Sequence, residues 1–427
     1  MNPAHGPARI ALLSHGLDRG GGVPGVARWL LDGLRGAGHP VDLYDLAVSR
    51  ADETSRRLLA PGSWSRRSLR DSRSAPLPHE HWGGNAVELE IMRYRPRREL
   101  TRALRGYDLI QVVAGAPAWA APALPAGRPV VLQVASTVRW ERATPTAAAP
   151  GPARALRQGM TALTSRLERR VLRRVAAVLA ENRPMFEHVR RHGQPRVRLA
   201  PPGIDVDVFT PHPAGWRARG PLLSVCRLND PRKGLERMIR GYAQLRRLVG
   251  ADRCPPLVLA GRDRPAQTVL RLIDRFGLTE TVLIRSDVPP AALPALYRDA
   301  SVFLQTSYEE GLGLAVLEAM ASGLPVVSTD SAGSRQLVRT GSTGWLVPQH
   351  PEADVPGLVA DRAAQLLTGR GGEFGAQGRA FCVEHYSTKR TLDRFLETYD
   401  EVLTAGAGGP TGSARWHRPR ANGGEAT

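Results

Sequence analysis

Residues 302–318 read Val-Phe-Leu-Gln-Thr-Ser-Tyr-Glu-Glu-Gly-Leu-Gly-Leu-Ala-Val-Leu-Glu, and this stretch decides the fold. Val302–Leu304 is a short apolar run of the kind that forms a buried strand. Gly311 and Gly313 break the pattern, and a helical period runs from Leu314 to Ala321. Strand, glycine loop and helix in immediate succession is the unit of a parallel α/β sheet. Two glycines directly before a helix let the backbone approach a ligand closely. The unpaired N–H groups at the helix start form an anion site. Glu310 and Glu318 flank that turn, where they repel an anion. They fit the site if they accept hydrogen bonds from sugar hydroxyls. Spacing puts Glu318 over a turn into the helix, suited to a ribose diol, and Glu310 at the loop mouth. On spacing alone, a capped helix with solvated glutamates explains the segment equally well.

The same alternation continues on both sides. In the second half, strands are expected at Leu222–Val225, Leu257–Ala260, Val282–Ile284 and Val326–Ser328. Helices are expected at Gly234–Leu248, Ala266–Phe276 and Leu293–Tyr297. The first half opens with a strand at Arg9–Ser14, the glycines Gly20, Gly21 and Gly22, a helix from Pro24 to Arg35 and a strand at Val41–Tyr44. Residues 50–90 lose periodicity and read as one long irregular region. Strands return at Leu109–Val113, Val130–Val134 and Ala177–Ala180. The Ala/Pro stretch Ala143–Pro152 reads as a loop, and a basic helix follows from Arg154 to Arg174. Four prolines within Ala200–Gly215 mark a hinge between two halves. Each half should be a doubly wound, mostly parallel sheet.

Composition narrows the classes. A chain of 427 residues is comfortable as two domains. No apolar run reaches the length of a membrane span, and Ile10–Leu13 is too short for a secretory h-region. A cytoplasmic setting is therefore expected. Cys226, Cys254 and Cys382 are isolated, and no Cys/His cluster shows metal-ligand spacing, so neither a disulfide framework nor a zinc site is expected. The net charge of +19 comes almost wholly from arginine, because lysine occurs only at Lys233 and Lys389. No aromatic-interleaved basic stripe or nucleic-acid module accompanies it, so no nucleic-acid partner is expected. Peripheral contact with an anionic membrane surface is compatible with it.

A second loop supplies cations. Cys226-Arg-Leu-Asn-Asp-Pro-Arg-Lys-Gly234 follows an expected strand and leads into a helix. Arg227 offers a planar fork and Lys233 a point charge, a pair able to converge on a diphosphate. One of only two lysines in the chain sits here. The plainer reading is a surface loop in an arginine-rich protein.

Together these segments resemble the family 4 retaining glycosyltransferases of the GT-B fold, along most of the chain. Glu310 to Glu318 looks like the family's E-x(7)-E motif, continued by Ala319-Met-Ala-Ser-Gly-Leu-Pro-Val-Val. Arg227 to Lys233 resembles its diphosphate-binding loop, with one residue more between the cations than the commonest form. Pro201-Pro-Gly-Ile-Asp205 resembles the hinge signature, and Val282 to Val288 the strand that meets the nucleotide base. Gly341-Ser-Thr-Gly344-Trp matches a late glycine turn, and Tyr386 to Tyr399 the last helix. The resemblance implies two Rossmann-like domains facing across a donor/acceptor cleft: residues 1–205 for the acceptor and 216–385 for the nucleotide-sugar. Residues 386–404 would form a helix crossing back to the first domain, and 405–427 a disordered tail.

The resemblance also implies roles. Glu310, Arg227 and Lys233 would carry the transfer, the last two on the diphosphate. Glu318 would bind ribose hydroxyls. Gly311, Leu312, Gly313, Leu314 and Ala315 would hold sugar and phosphate through their backbone. Gly21 and Gly22 would close on the phosphates, and Arg285 and Val288 would border the base. The implied activity is transfer of a hexose-type sugar, from a UDP-sugar by analogy, to a polar acceptor: a small molecule, lipid head group or glycan. Transfer would proceed with retention by front-face displacement, with no cofactor and no metal. Asp205-Val-Asp207 reads as DxD but lies in the hinge, where Asp205 fits a turn. Histidines common in the family are replaced by Ala135 and Val113, which leaves Thr137, Gln111 and Gln133 as substitute hydrogen bonders. His15 reads as a loop residue near the acceptor side. The rival readings are a catalytically impaired sugar-nucleotide binder or membrane-associated protein of the same fold, a pyridoxal-dependent phosphorylase and a basic nucleic-acid binder. Only the first of these survives the lysine count and the charge pattern.

Overall fold

A computed structural model describes residues 7–19, 22–74, 77–142 and 151–407. The chain divides into two compact units, residues 1–202 with 392–427, and residues 203–391. The division falls inside the proline-rich segment. The expected Gly20 and Gly21 loop, most of the Ala/Pro loop and the tail beyond residue 407 lie outside the described residues.

The first unit is built on an eight-stranded sheet in the order β3-β4-β2-β1-β5-β6-β7-β8. Its strands are β1 (Ile10–His15), β2 (Val41–Leu46), β3 (Arg70–Arg73), β4 (His79–Trp82), β5 (Leu109–Ala114), β6 (Val130–Val134), β7 (Ala177–Ala180) and β8 (Val197–Leu199). All pairs are parallel except β3 with β4. The central strands are apolar and buried on both faces, as parallel sheets covered by crossover helices must be. Order reverses between β1 and β5, where the chain first runs outward to β2 and then returns. The helix Thr388–Ala407 closes the unit: Tyr399 Oη donates to Gln111 Oε1 at 2.8 Å and Phe395 meets Trp29 edge-on. Arg198 pairs with Glu397 and Glu401 on its outer side.

Three expectations need correction here. Residues 50–90 are not one irregular region, for they contribute β3 and β4 to the sheet. The hydrophobic signal is absent because these strands are polar: Arg70-Asp-Ser-Arg73 and His79-Glu-His-Trp82. The last helix runs to Ala407, so residues 405–407 are helical instead of tail. The basic helix begins at Gly151 and ends at Leu172.

The second unit holds a six-stranded, wholly parallel sheet in the order β11-β10-β9-β12-β13-β14. The strands are β9 (Leu222–Arg227), β10 (Leu257–Arg262), β11 (Val282–Ser286), β12 (Val302–Gln305), β13 (Val326–Thr329) and β14 (Gly344–Val347). Leu222, Leu257, Leu259, Val302 and Leu304 pack on one face against the helices Leu235–Val249 and Val355–Thr368. Leu223, Ala260, Phe303 and Val326 pack on the other, against Leu314–Ala321 and Gly371–Tyr386. Here the order reverses between β9 and β12. In such sheets the crevice outside the carboxyl ends at that reversal is the ligand site. No helix among the described residues is long and apolar enough to cross a membrane.

Candidate functional site

The two loops singled out in the sequence leave the two strands at the reversal. The chain exits β9 at Arg227, makes a short turn over Pro231–Lys233 and enters the helix Leu235–Val249 through Gly234. It exits β12 at Gln305 and enters the helix Leu314–Ala321 through Gly313. Both entry glycines are left-handed, with φ of 62° and 91°.

Gly234 is there for a second reason as well. A Cβ on it would lie 2.2 Å from the carbonyl oxygen of Thr306. The loops are that close, and Thr306 Oγ1 donates to the carbonyls of Gly234, at 2.9 Å, and Lys233. Tyr308 N–H donates to the Arg232 carbonyl at 2.8 Å. Gly333 acts similarly from the neighbouring helix start. Its N–H donates to the Glu310 carbonyl, and a Cβ would meet the Leu312 backbone at 2.6 Å. The loops are thus locked by backbone contacts that only glycine permits.

This locking brings Lys233 and Glu310 together, 77 residues apart in sequence: Nζ donates to Oε2 at 2.7 Å, and Ser307 Oγ approaches the same oxygen at 3.5 Å. The two side chains are only 17 % and 18 % exposed. Arg227 stands half exposed on the same loop, its guanidinium 2.8 Å from Asp230. Asp230 also caps the turn by accepting from Arg232 N–H, and the surrounding guanidiniums hold its carboxyl below the usual range. No side chain caps the helix Leu314–Ala321, whose entry is Gly313. The two loops that leave the reversal point thus carry Arg227, Lys233 and an uncapped helix start, features that favour an anion.

Glu318 lies one turn below Leu314 on the same helix face. Its Oε2 accepts from Tyr297 Oη at 2.6 Å, and Tyr297 is fully buried. Burial without a cation pushes the Glu318 carboxyl up to about 7. Tyr297 is a partner that the sequence does not announce: it reads there only as the end of a short helix, and a tyrosine at that position carries no signal of its own. Asp230, Thr306 and Gly333 were equally silent. At the outer strands, Arg285 is exposed on β11, and Val288 N–H donates to the Gly261 carbonyl at 3.2 Å. Gly261 admits no side chain, because a Cβ would fall 1.8 Å from the Cys226 carbonyl oxygen. Leu312 is buried, while Leu314 and Ala315 are half-buried. Gly22 opens the helix Gly22–Gly36 in the first unit, and Gly21 lies outside the described residues.

The residues named as substitutes for histidine are already engaged or buried. Thr137 Oγ1 caps the helix Val138–Glu141, and the Gln111 amide joins Tyr399 and the Val112 carbonyl. Gln133 is fully buried and both its amide atoms lack a hydrogen-bond partner. The Ala135 carbonyl accepts from Asn182 at 2.8 Å. His15 is no loop residue but the last of β1; it stacks on Trp119 at 4.3 Å, accepts from Gly115 N–H, and burial pushes it down to about 4. Asp205 accepts from the N–H groups of Asp207 and Val208, which makes it the turn residue expected. One further correction concerns the histidines. Asp45, His79 and His81, buried in the first unit, bring ligand-type atoms within 4.8 Å of one another. The sequence reading missed that cluster.

Known proteins match both units. Residues 20–208 match the family model "Glycosyltransferase Family 4", and residues 220–368 match "Glycosyl transferases group 1". The D-inositol 3-phosphate glycosyltransferase of Salinispora arenicola is 32 % identical over 232 residues, covering 49 % of this chain and 50 % of that protein. A mannosyltransferase of Mycolicibacterium smegmatis, named as GDP-mannose-dependent and acting on phosphatidylinositol monomannoside, is 31 % identical over 213 residues, 46 % of this chain and 54 % of that one. The chain thus spans about half the length of the curated relatives it matches. Among solved structures, HepE of Anabaena in complex with UDP-glucose superposes with a TM-score of 0.66 at 16 % identity, over 92 % of this chain and 100 % of that one. At that identity the likeness speaks for the fold, which is GT-B. With the two units matched in turn by the family's two models, the chain belongs to the family 4 glycosyltransferases, the glycosyl transferases of group 1.

Proposed function

We propose that the chain transfers a hexose-type sugar from a nucleoside-diphosphate sugar to an acceptor hydroxyl, with retention at the anomeric carbon. The observation that carries this reading is the Lys233–Glu310 pair at the sheet reversal, beside Arg227 and the uncapped helix start. The diphosphate takes the Lys233 ammonium, the Arg227 fork and the N-terminus of Leu314–Ala321. Glu310 then turns to the sugar hydroxyls, and Glu318 to the ribose. In a front-face displacement the acceptor oxygen bonds to the anomeric carbon as the bond from that carbon to the phosphate oxygen breaks. The acceptor's proton passes to the departing diphosphate. What the protein supplies is stabilisation of charge on the leaving group, a contribution worth about 3–4 kcal/mol per well-placed donor. Fixed cations from the chain itself provide it, and the transfer needs no metal.

A UDP-sugar is the donor we assign, supported by the fold shared with a protein solved with UDP-glucose. The GDP-mannose dependence in the name of one relative makes GDP-mannose the necessary second arm of the test. The acceptor is a polar hydroxyl compound. Peripheral contact with an anionic bilayer is supported by the helix Gly151–Leu172, which carries Arg154, Arg157, Arg166, Arg169 and Arg170 while Leu156 and Leu163 are exposed.

A donor panel scored by release of nucleoside diphosphate tests the reading, with Lys233→Ala and Glu310→Ala run beside the parent chain. Lys233→Ala should lower kcat/KM by roughly 10²–10³. Glu310→Ala should bind free UDP at least as well as the parent, since Lys233 is released, yet lose turnover of the sugar donor. Unchanged turnover in both variants would remove the site from the mechanism. A parent chain that binds donors but releases no nucleotide would instead favour the impaired binder, a reading kept by Ala135 and Val113.

A further inference from the structure

The cluster missed in the sequence is built like a metal site. β4 reads His79-Glu-His81-Trp, and in a strand residues i and i+2 project to the same face. That face meets Asp45, near the end of β2, which pairs in parallel with β4. His79 is 6 % exposed. Its Nδ1 lies 2.7 Å from the Leu77 carbonyl, to which it must donate, so the tautomer leaves a lone pair on Nε2. That Nε2 is buried and has no hydrogen-bond partner; Asp18 Oδ1 lies 3.8 Å away, beyond hydrogen-bond reach. An acceptor lone pair held in this position toward carboxylates and a second imidazole is costly unless something positive stands between them.

The outer partners complete the pattern. His81 Nδ1 faces Asp45 Oδ2 at 2.6 Å, and its other nitrogen is held by Asp52 Oδ1 at 2.8 Å. Asp52 is in turn fixed by Ser55 Oγ. The remaining oxygen of Asp45 accepts from Leu17 N–H at 3.1 Å. Every candidate ligand is therefore oriented through the atom it would not offer to a metal: His79 by a carbonyl, His81 by a carboxylate, Asp45 by a backbone N–H. That is the outer-shell arrangement that holds metal ligands in place. A cavity of about 220 Å³, lined by Gly16, Asp18, Asp45, Asp52, Arg73 and His81, opens beside the cluster. It provides entry and room for a fourth ligand, a water or the Asp18 carboxylate. Arg73 pairs with Asp18 and approaches Asp52, offsetting the acidic charge left over.

We infer that Asp45, His79 and His81 bind a divalent first-row transition metal, with zinc the probe of choice for two imidazoles and a carboxylate. On binding, the contact between His81 Nδ1 and Asp45 is replaced by two bonds to the ion of about 2.0–2.2 Å. The proton they share leaves to solvent. The ion ties β4, and with it the polar segment from 50 to 90, to the end of β2. It takes no part in the transfer reaction proposed above.

The test uses the whole chain, stripped with a chelator and dialysed, then titrated with zinc. One equivalent should bind, and the melting temperature should rise with zinc concentration, as mass action requires of a ligand specific to the native state. His79→Gln removes an Nε2 that bonds nothing in the protein. It should weaken zinc uptake by more than the roughly 10–100-fold that loss of an outer partner costs, while the metal-free chain still melts cooperatively. Asp52→Asn should cost that roughly 10–100-fold itself and decides the matter if His79→Gln fails to fold. Glu53→Gln, on the same cavity wall, should bind as the parent does. Failure of the parent chain to take up zinc at micromolar concentrations overturns the inference. So does equal uptake by the parent and the deciding variant, and His81 is then simply a histidine paired between two aspartates.

Discussion

Glu318 places an ionisable group in a partly shielded pocket with no cation to pair it, and this has a measurable consequence. Its carboxyl is pushed from 4.5 up to about 7 by burial, with Tyr297 the one partner opposing the shift. The folded state therefore binds a proton more tightly than the unfolded chain. Stability from this group is fully present below about pH 4.5 and is lost as pH rises through 7. A rise from 4.5 to about 7 corresponds to about 3 kcal/mol. Replacing Glu318 with Gln keeps an oxygen that can accept from Tyr297 and removes the ionisation. Urea unfolding of parent and Glu318→Gln at pH 5, 6, 7 and 8 isolates the term, because other titrating groups cancel in the difference. The variant should gain on the parent by about 2–3 kcal/mol between pH 5 and 8. If the carboxylate also holds the ribose diol, the same variant should bind donor more weakly at pH 8, trading affinity for stability. A difference in stability that is flat across this range would refute the reasoning, since it would mean that Glu318 ionises as freely in the fold as in water.

Other consequences follow from single contacts. Gly234→Ala must sit in the left-handed region and meet the Thr306 carbonyl. It should cost at least about 1–2 kcal/mol for the backbone alone and depress turnover by shifting Lys233, as paired denaturation and kinetic measurements will show. Gln133→Met replaces two unpartnered buried amide atoms with an unbranched apolar chain. It should stabilise the chain by about 1 kcal/mol or be neutral, with turnover unchanged; a loss of stability in urea would point to an internal water or partner at Gln133. Leu156→Glu alters an apolar side chain that is 70 % exposed on the arginine-rich helix. Cosedimentation with vesicles rich in anionic lipid should fall several-fold for this variant while turnover of a soluble acceptor is kept.

The second unit of the fold was legible because its signals are local. Parallel strands buried on both faces read as apolar runs, and glycines at 234, 311 and 313 punctuate them. The strand–loop–helix units around Arg227 and Glu310 could be drawn from spacing. What spacing could not supply was the strand order that sets β9 beside β12, and so brings Lys233 to Glu310 across 77 residues. Tyr297 was invisible for the same reason: it touches Glu318 through packing between two helices. In the first unit the failure was of another kind. β3 and β4 are short and polar, and β3 is an edge strand, so hydrophobic periodicity does not report them. A histidine pair spaced i, i+2 means something only once the segment is known to be extended. Read as a loop, His79 and His81 were two residues among eleven histidines.

The Lys233–Glu310 pair explains why an anion site should carry a carboxylate at all. Two side chains each less than one-fifth exposed cannot be left unpaired cheaply. Without Glu310, Lys233 would be free to turn into solvent or would need another counter-charge before any donor arrived. With it, the ammonium is held at the sheet reversal by a 2.7 Å contact. A diphosphate offers two or more negative charges against the one of Glu310, and it also takes Arg227 and the helix start, so it can displace the carboxylate. The displaced Glu310 then needs hydroxyl donors, which a bare nucleoside diphosphate lacks beyond its ribose and a sugar donor supplies. On the proposed reading, exchange of partners would make binding dependent on the whole donor, the phosphate satisfying the cation and the sugar the carboxylate. On this account the glutamate is a selectivity device as much as a contact, and its cost to nucleotide affinity is the reason that Glu310→Ala should separate binding of UDP from turnover of the sugar.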